Sequence, residues 1–154
     1  MKSRFYAVCH FIFAWFARVI FLVFTKGRKN EPKLSEGPYI VCANHISAVD
    51  PIIICAATRR QQPRYMAKKE LFDNPVGRVF FKSLFVFPVN RKTADMKSIR
   101  QSLKLLRDGK AFGIFPEGRR SATDGMDEFE KGTAFIAAKS GAPIVPIYIN
   151  PKKS

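Results

Sequence analysis

Two residues five positions apart in this chain could perform general-base chemistry. The segment NHISAVDP, residues 44–51, carries His45 and Asp50 directly after a predicted strand. Five residues of regular helix turn the chain by ~500°, so the two side chains would diverge on a helix. They can meet only if the segment is a loop that turns into a helix beginning at Pro51. A carboxylate that fixes the tautomer of a neutral imidazole would make His45 a competent base near neutral pH, whereas Asp50 could instead merely cap the helix.

A second segment that could carry chemistry is IFPEGRRS, residues 114–121, at the end of another predicted strand. Gly118 allows the backbone to approach a ligand closely. Three donors suited to a phosphate or a carboxylate end the segment: Arg119, Arg120 and Ser121. Glu117 could orient the arginines through a salt bridge rather than take part in chemistry. The alternative interpretation is a charged turn that is only solvated.

A third basic segment, PVNRKTAD at residues 88–95, also follows a predicted strand and places Arg91 and Lys92 in a loop. Ligands of α/β folds bind beyond the carboxyl ends of the strands. We therefore expect this loop to share one rim of the sheet with the other two segments. Basic loop residues that are merely solvated would give the same pattern.

Apolar runs and helical periodicity alternate along the rest of the chain. Strands are predicted at 39–43, 64–67, 84–89, 111–115 and 144–149. Helices are predicted from Pro51, over 69–83 with an interruption at Asn74–Pro75, from Thr93 to Gly109, and over 131–140. We therefore expect an α/β fold, with a largely parallel mixed sheet flanked by helices.

Composition narrows the classes of protein and partner. The 154 residues carry a formal net charge of +15, and 47% are apolar, so the chain can fold and should favour polyanionic partners. A length of this size suits one core domain, which we place at residues 31–154. The cysteines are three in number and show no C-x-x-C spacing, which argues against a disulfide scaffold or a zinc site.

The first 30 residues contain no acidic residue, and Phe5–Phe24 is apolar apart from His10 and Arg18. Twenty helical residues would cover ~30 Å, the thickness of the hydrocarbon core of a bilayer. We expect residues 1–30 to form a membrane-associating hydrophobic helix. Three arrangements of this helix remain open: it could lie in one leaflet, span the bilayer or pack in a protein core. If the helix spans, the basic residues that follow it favour a cytoplasmic C-terminal side.

Four segments in this order resemble the sequence blocks of the glycerophospholipid acyltransferases, most closely the 1-acylglycerol-3-phosphate acyltransferases. NHISAVDP is similar to the N-H-x4-D block, and FPVNR to the block that ends in an arginine, here Arg91. FPEGRRS is similar to the F-P-E-G-T-R-S block and GAPIVPI to the fourth, proline-containing block. The resemblance covers about residues 38–149 and implies that residues 31–154 form an acyltransferase domain.

The resemblance implies a role for each matching residue. His45 would be the general base, and Asp50 the residue that orients it. The substrate-binding residues, at the acceptor phosphate, would be Arg91, Glu117, Gly118, Arg119, Arg120 and Ser121. Two departures stand out: Arg119 replaces the usual threonine, and Ser154 ends the sequence sooner after the fourth block than in relatives.

The resemblance further implies transfer of an acyl group from acyl-CoA or acyl-carrier protein to 1-acylglycerol-3-phosphate, which yields phosphatidic acid. We expect no cofactor and no metal, an anionic lipid surface as partner, no nucleic acid, and a place at the cell membrane with the catalytic domain facing the cytoplasm. One alternative is another acceptor, such as glycerol-3-phosphate or a different lysophospholipid. Another, from a different class, is a basic protein that binds membranes or nucleic acid without activity.

Overall fold

Five short strands form one sheet in the computed structural model, which describes residues 15, 19–20, 23–58, 61–90, 96–120 and 128–150. The strands are β1 Ile40–Ala43, β2 Arg64–Lys68, β3 Phe87–Val89, β4 Phe112–Ile114 and β5 Ile144–Ile147. Their order across the sheet is β3-β2-β4-β1-β5, and each pairing is parallel. The expectation of a mixed sheet is therefore wrong for the described strands, because helical connections return the chain to the same edge each time.

Four α-helices connect or follow the strands. They are α1 Asp50–Ala57, α2 Pro75–Ser83, α3 Met96–Arg107 and α4 Lys131–Ser140. Three short 3-10 helices span Arg28–Asn30, Leu34–Glu36 and Lys69–Phe72. The predicted interruption at Asn74–Pro75 is confirmed: Oδ1 of Asn74 accepts a hydrogen bond from the amide of Val76 at 2.8 Å and caps α2.

Strand β3 is shorter than the predicted strand at 84–89, because α2 ends in a tight turn there. Phe85 has a left-handed φ of 56°. The amide of Val86 donates to the carbonyl of Phe81 at 2.9 Å, which closes the helix end. Extended backbone can therefore begin only after this turn, at Phe87.

Helices cover both faces of the sheet and create two apolar clusters. On one face, β1 contributes Val41 to a cluster that includes Ile54 of α1 and, packed against it, Phe81 of α2. On the other face, β1 contributes Ile40 to a cluster that includes Leu106 of α3 and Ile136 of α4. The alternation along β1 follows from the two-residue period of a strand.

The sheet order brings the two chemistry-bearing loops together. Strands β1 and β4 are parallel neighbours, with Ile40 opposite Phe112 and Cys42 opposite Ile114. Residues 44–49 follow β1 and residues 115–120 follow β4, so both loops leave the same edge of the sheet. This edge is where parallel α/β folds bind their ligands.

The predicted N-terminal helix, Phe5–Phe24, lies almost entirely outside the described residues. Trp15, Val19 and Ile20 are described within it and are helical with exposed side chains, whereas Val23 and Phe24 are described but not helical, so the helix does not extend to Phe24 as predicted. None of the helices in the described part of the chain is long and apolar enough to cross a bilayer. The membrane association of residues 1–30 stays a prediction, as does the start of the predicted helix at Thr93, which is also outside the described residues.

Candidate active site

The carboxylate of Asp50 organises the loop between β1 and α1. Its Oδ2 accepts hydrogen bonds from the backbone amides of Ile46 and Ser47, each at 2.7 Å. The same oxygen lies 2.8 Å from Nδ1 of His45. Asp50 is fully buried and begins α1, where the helix dipole favours a negative charge. These contacts of Asp50 go to the loop before the helix and not to the first-turn amides that a capping residue would bind.

The contact with Asp50 determines which nitrogen of His45 faces the rest of the site. An ionised carboxylate can only accept hydrogen bonds, so Nδ1 carries a proton when it faces Asp50. Nε2 is then left with its lone pair, as a general base requires. The His45 side chain keeps 14% of its surface exposed, so it is not sealed from solvent.

Glu117 joins the loop after β4 to the loop after β1. Its Oε1 accepts a hydrogen bond from the backbone amide of His45 at 3.4 Å, and the side chain is only 3% exposed. A buried carboxylate held in this way fixes the distance between the two loops. The structure thus brings His45, Asp50 and Glu117 together.

Gly118 occupies a position that a larger residue would strain. Its φ is 65°, in the left-handed region, and its amide donates to the carbonyl of Phe115 at 3.0 Å. A Cβ added to it would lie 2.8 Å from Cγ of Glu130, the residue preceding α4. The turn of the loop is therefore built for glycine.

The basic residues after this turn are only partly described. Arg119 and Arg120 follow Gly118 with exposed side chains. Arg91 and Ser121, the other two residues assigned to a phosphate site, lie outside the described residues. Within the described residues, no group of three or more His, Cys, Asp or Glu side chains could hold a metal ion.

A stack of aromatic rings, which the sequence analysis did not anticipate, backs the imidazole. The ring of His45 lies on the ring of Phe115, with centroids 4.1 Å apart and an interplanar angle of 19°. Phe115 stacks in turn on Tyr65 of β2, with centroids 5.6 Å apart and an angle of 20°. The ring of Tyr65 occupies the space that a Cβ of Gly113 would need. Gly113 is paired directly with Tyr65, and a glycine inside a central strand is the signal that could have revealed this close approach.

Tyr65 serves the stack as a neutral ring. Burial raises the pKa of Tyr65 well above its usual value, and the neighbouring groups of Cys55, Tyr39 and Asp50 raise it further. Its side chain is 2% exposed. Its phenol therefore stays protonated at any physiological pH and contributes through packing.

Asn44 is a further residue whose role was not predicted from the sequence. Its Nδ2 donates to the carbonyl of Ile149 at 3.0 Å, and its Oδ1 accepts from the amide of Ile149 at 2.7 Å. The side-chain amide thus mimics one more rung of strand pairing between the ends of β1 and β5. The contact anchors the start of the loop that carries His45.

The chain is similar in sequence to known proteins. The acyltransferase family model matches residues 23–150. A curated relative, the 1-acyl-sn-glycerol-3-phosphate acyltransferase of Bacillus subtilis, is 36% identical over 112 residues, which cover 73% of this chain and 55% of the relative. The enzyme of the same name from Borreliella burgdorferi is 32% identical over 141 residues, which cover 90% of this chain and 54% of the relative.

The fold is also similar to a solved structure. The 1-acyl-sn-glycerophosphate acyltransferase PlsC from Thermotoga maritima superposes with a TM-score of 0.75 at 26% identity, covering 95% of this chain and 59% of that protein. This chain spans a little over half the length of the two curated relatives. A family match that extends from residue 23 to residue 150, on a fold of the same class, establishes that this chain belongs to the acyltransferase family.

Proposed function

We propose that this protein transfers an acyl group from an acyl thioester to the free hydroxyl of 1-acylglycerol-3-phosphate, forming phosphatidic acid. The observation that carries the proposal is the 2.8 Å contact between His45 and Asp50 at the ligand-binding edge of the sheet. The two curated relatives bear the name of this activity, which supports the choice of acceptor.

In the proposed reaction, Nε2 of His45 accepts the proton of the acceptor hydroxyl as its oxygen attacks the thioester carbonyl. The carbonyl carbon becomes tetrahedral, the bond to sulfur then breaks, and the thiolate leaves. The imidazolium of His45 returns its proton to the thiolate, so the base is regenerated. General-base assistance of this kind contributes about 10²–10⁴ in rate. A thiol with a pKa of about 8.5 is a good leaving group, so a strong general acid is unnecessary.

The acceptor phosphate would bind at the turn that follows β4. Arg119 and Arg120 are exposed there and carry charge suited to a phosphate monoester. Gly118 brings the backbone of this turn close to the ligand, and Arg91 and Ser121 complete the proposed set. Glu117 has a different part in this proposal, since its buried carboxylate holds the backbone of His45.

The proposed donor is acyl-CoA or acyl-carrier protein, because both present the same thioester to an attacking hydroxyl. In this scheme the chain uses no metal and no further cofactor. We propose that residues 31–154 carry out catalysis and that residues 1–30 associate with the membrane. Both parts would work at the cell membrane, with the catalytic domain facing the cytoplasm.

An anionic membrane surface is the proposed partner of the whole chain. The net charge of +15 favours anionic lipid, to which a well-placed basic residue contributes about 1 kcal/mol. On α2, the exposed side chains of Val76 and Val79 lie three residues apart, on one side of the helix. Exposed Arg78 and Lys82 flank them, a combination of apolar and basic groups that suits a lipid headgroup layer.

The decisive experiment measures acyl transfer from acyl-CoA and from acyl-carrier protein to three acceptors. These are 1-acylglycerol-3-phosphate, glycerol-3-phosphate and a lysophospholipid with a larger head group. We expect transfer to the first acceptor and a loss of about 10²–10⁴ in His45→Ala. His10→Ala, which changes the other histidine of the chain, is the matched control and should retain activity.

Each other outcome has a defined meaning. Full turnover in His45→Ala would refute the assignment of the base. Transfer to a different acceptor would keep the chemistry and replace the substrate. Salt-dependent DNA binding without any thioester consumption would instead favour a nucleic-acid-binding protein.

A further inference from the structure

We propose that Phe115 and Tyr65 position the imidazole of His45, and that the face of Phe115 stabilises the imidazolium formed during acyl transfer. The inference rests on the proposed function, since it assigns these rings to the base of that reaction. Both are positioning residues, because they act on the substrate only through His45.

The contact with Asp50 cannot hold the imidazole by itself. It restrains a single distance, 2.8 Å between Nδ1 and Oδ2, so the two side-chain torsions of His45 could still change together. The ring of Phe115 removes this freedom, because it lies nearly parallel to the imidazole at a centroid distance of 4.1 Å. An edge contact and a face contact together define the direction in which Nε2 points.

The face contact also has an electrostatic consequence. An aromatic face carries partial negative charge and attracts a cation placed over it. His45 becomes a cation when it takes the proton of the acceptor hydroxyl. Phe115 therefore interacts more strongly with His45 in the protonated state that develops during the reaction than in the resting state.

The position of Phe115 is itself fixed by the sheet. Its ring stacks on Tyr65, whose side chain is buried and lies across Gly113 of the neighbouring strand. Tyr65 and Gly113 are direct partners in the register of β2 and β4. The absence of a side chain at Gly113 lets the tyrosine ring pack directly against the strand backbone, which holds the ring in place. Tyr65 in turn supports Phe115, and Phe115 supports the imidazole.

A purely structural role for these rings predicts a different outcome from a positioning role. Phe115 packs against the core cluster, so its replacement by leucine, which is apolar but has no aromatic face, would then cost only stability. A positioning role predicts a loss in kcat that an aromatic replacement restores. The comparison of Phe115→Leu with Phe115→Tyr separates the two.

The test measures kcat, acceptor KM and the pH profile of kcat in the full chain. We expect Phe115→Leu to lower kcat about tenfold with KM within twofold, and to move the acid limb of the profile down by about half a pH unit. Phe115→Tyr and Tyr65→Phe should retain kcat, whereas Tyr65→Leu should lower it several-fold. Phe87→Leu, a core change on the opposite face of the sheet, is the control that should lower stability and leave kcat unchanged.

A second readout does not depend on activity. The chain has two histidines, so the ring protons of His45 can be assigned by NMR against a His10→Gln variant. Loss of the aromatic face in Phe115→Leu should move the His45 resonances downfield. Full kcat and an unmoved acid limb in Phe115→Leu would overturn the positioning role. Absence of transfer in the unmodified chain would refute the proposed function instead, while unmoved resonances would refute the stack.

Discussion

Oδ2 of Asp50 lies 2.8 Å from Nδ1 of His45, and this oxygen also accepts hydrogen bonds from the backbone amides of Ile46 and Ser47 at 2.7 Å each. A single carboxylate oxygen thus shapes the loop and orients the imidazole that the loop carries. The charge of Asp50 and the geometry of the proposed base are consequently inseparable.

Replacement of Asp50 by asparagine tests this coupling. We expect Asp50→Asn to lower kcat by about 10² or more, because a neutral amide stabilises the imidazolium of His45 less and can present an N–H to Nδ1. The measurement is steady-state acyl transfer. Asp73→Asn, which changes an exposed acidic residue after the 3-10 helix Lys69–Phe72, should leave kcat unchanged. Equal loss in both variants would contradict a specific role for Asp50.

The turn after β4 makes a prediction about stability. Gly118→Ala should lower the free energy of unfolding by about 1–3 kcal/mol, because alanine is strained at a φ of 65° and its Cβ would meet Glu130. Gly132→Ala is the matched control: a Cβ there meets nothing within 4 Å, and it should stabilise α4 by about 0.5–1 kcal/mol. Denaturant unfolding measures both changes. An unaltered midpoint in Gly118→Ala would disprove the strain.

The phosphate assignment predicts a split between KM and kcat. Arg120→Ala should raise the KM for 1-acylglycerol-3-phosphate about tenfold or more, since a charged hydrogen bond is lost, and should leave the KM for the donor unchanged. Arg119→Ala, measured in parallel, would show how much each of the two arginines contributes to the acceptor KM. Arg107→Ala, at the end of α3, is the control that should have no effect. An unchanged acceptor KM in Arg120→Ala would remove this residue from the phosphate site.

The exposed apolar side of α2 predicts a local effect on lipid binding. Val79→Asp should weaken binding to vesicles that contain anionic lipid, because it places a carboxylate where the helix would enter the headgroup layer. Phe135→Asp makes the same change at an exposed apolar residue of α4, beyond the opposite face of the sheet, and should bind as the unmodified chain does. Co-sedimentation at several salt concentrations measures the difference. Equal binding by the two variants would exclude α2 from the lipid contact.

The half-buried thiol of Cys55 is a probe of unfolding. Because burial raises the pKa of its thiol from 9.0 to about 12, we expect native Cys55 to resist alkylation at pH 8 and to react once the chain unfolds. The raised pKa also predicts that stability falls as the pH rises from 9 towards 12, since the unfolded thiol ionises first. Mass spectrometry of alkylated peptides measures the labelling of Cys55 in the folded and the unfolded protein. Rapid labelling of Cys55 in the folded protein would contradict it.

Local signals along the chain were sufficient to predict most helices and the positions of the strands. The helix at 131–140 has the bounds Lys131–Ser140, and the break at Asn74–Pro75 is where the cap and the proline require it. The predicted meeting of His45 and Asp50 is confirmed, because it depends only on a loop of five residues. Each of these features is decided within a few residues of sequence.

Features that depend on strand order could not be predicted in this way. The ring of Phe115 reaches His45 because β4 lies beside β1, although the two residues are far apart in sequence. The same adjacency brings Glu117 to the backbone of His45. A sequence pattern gives the alternation of strands and helices, but several strand orders satisfy the same pattern. The residues that contact the imidazole can therefore be identified only once the order of the strands in the sheet is known.

The pairing of Asn44 with Ile149 has a consequence for biosynthesis on the ribosome. These residues are 105 positions apart, yet the first holds the start of the loop that presents the imidazole. A nascent polypeptide from which Ile149 has not yet emerged lacks this anchor. The loop that presents the imidazole should accordingly gain this anchor only after synthesis has passed Ile149.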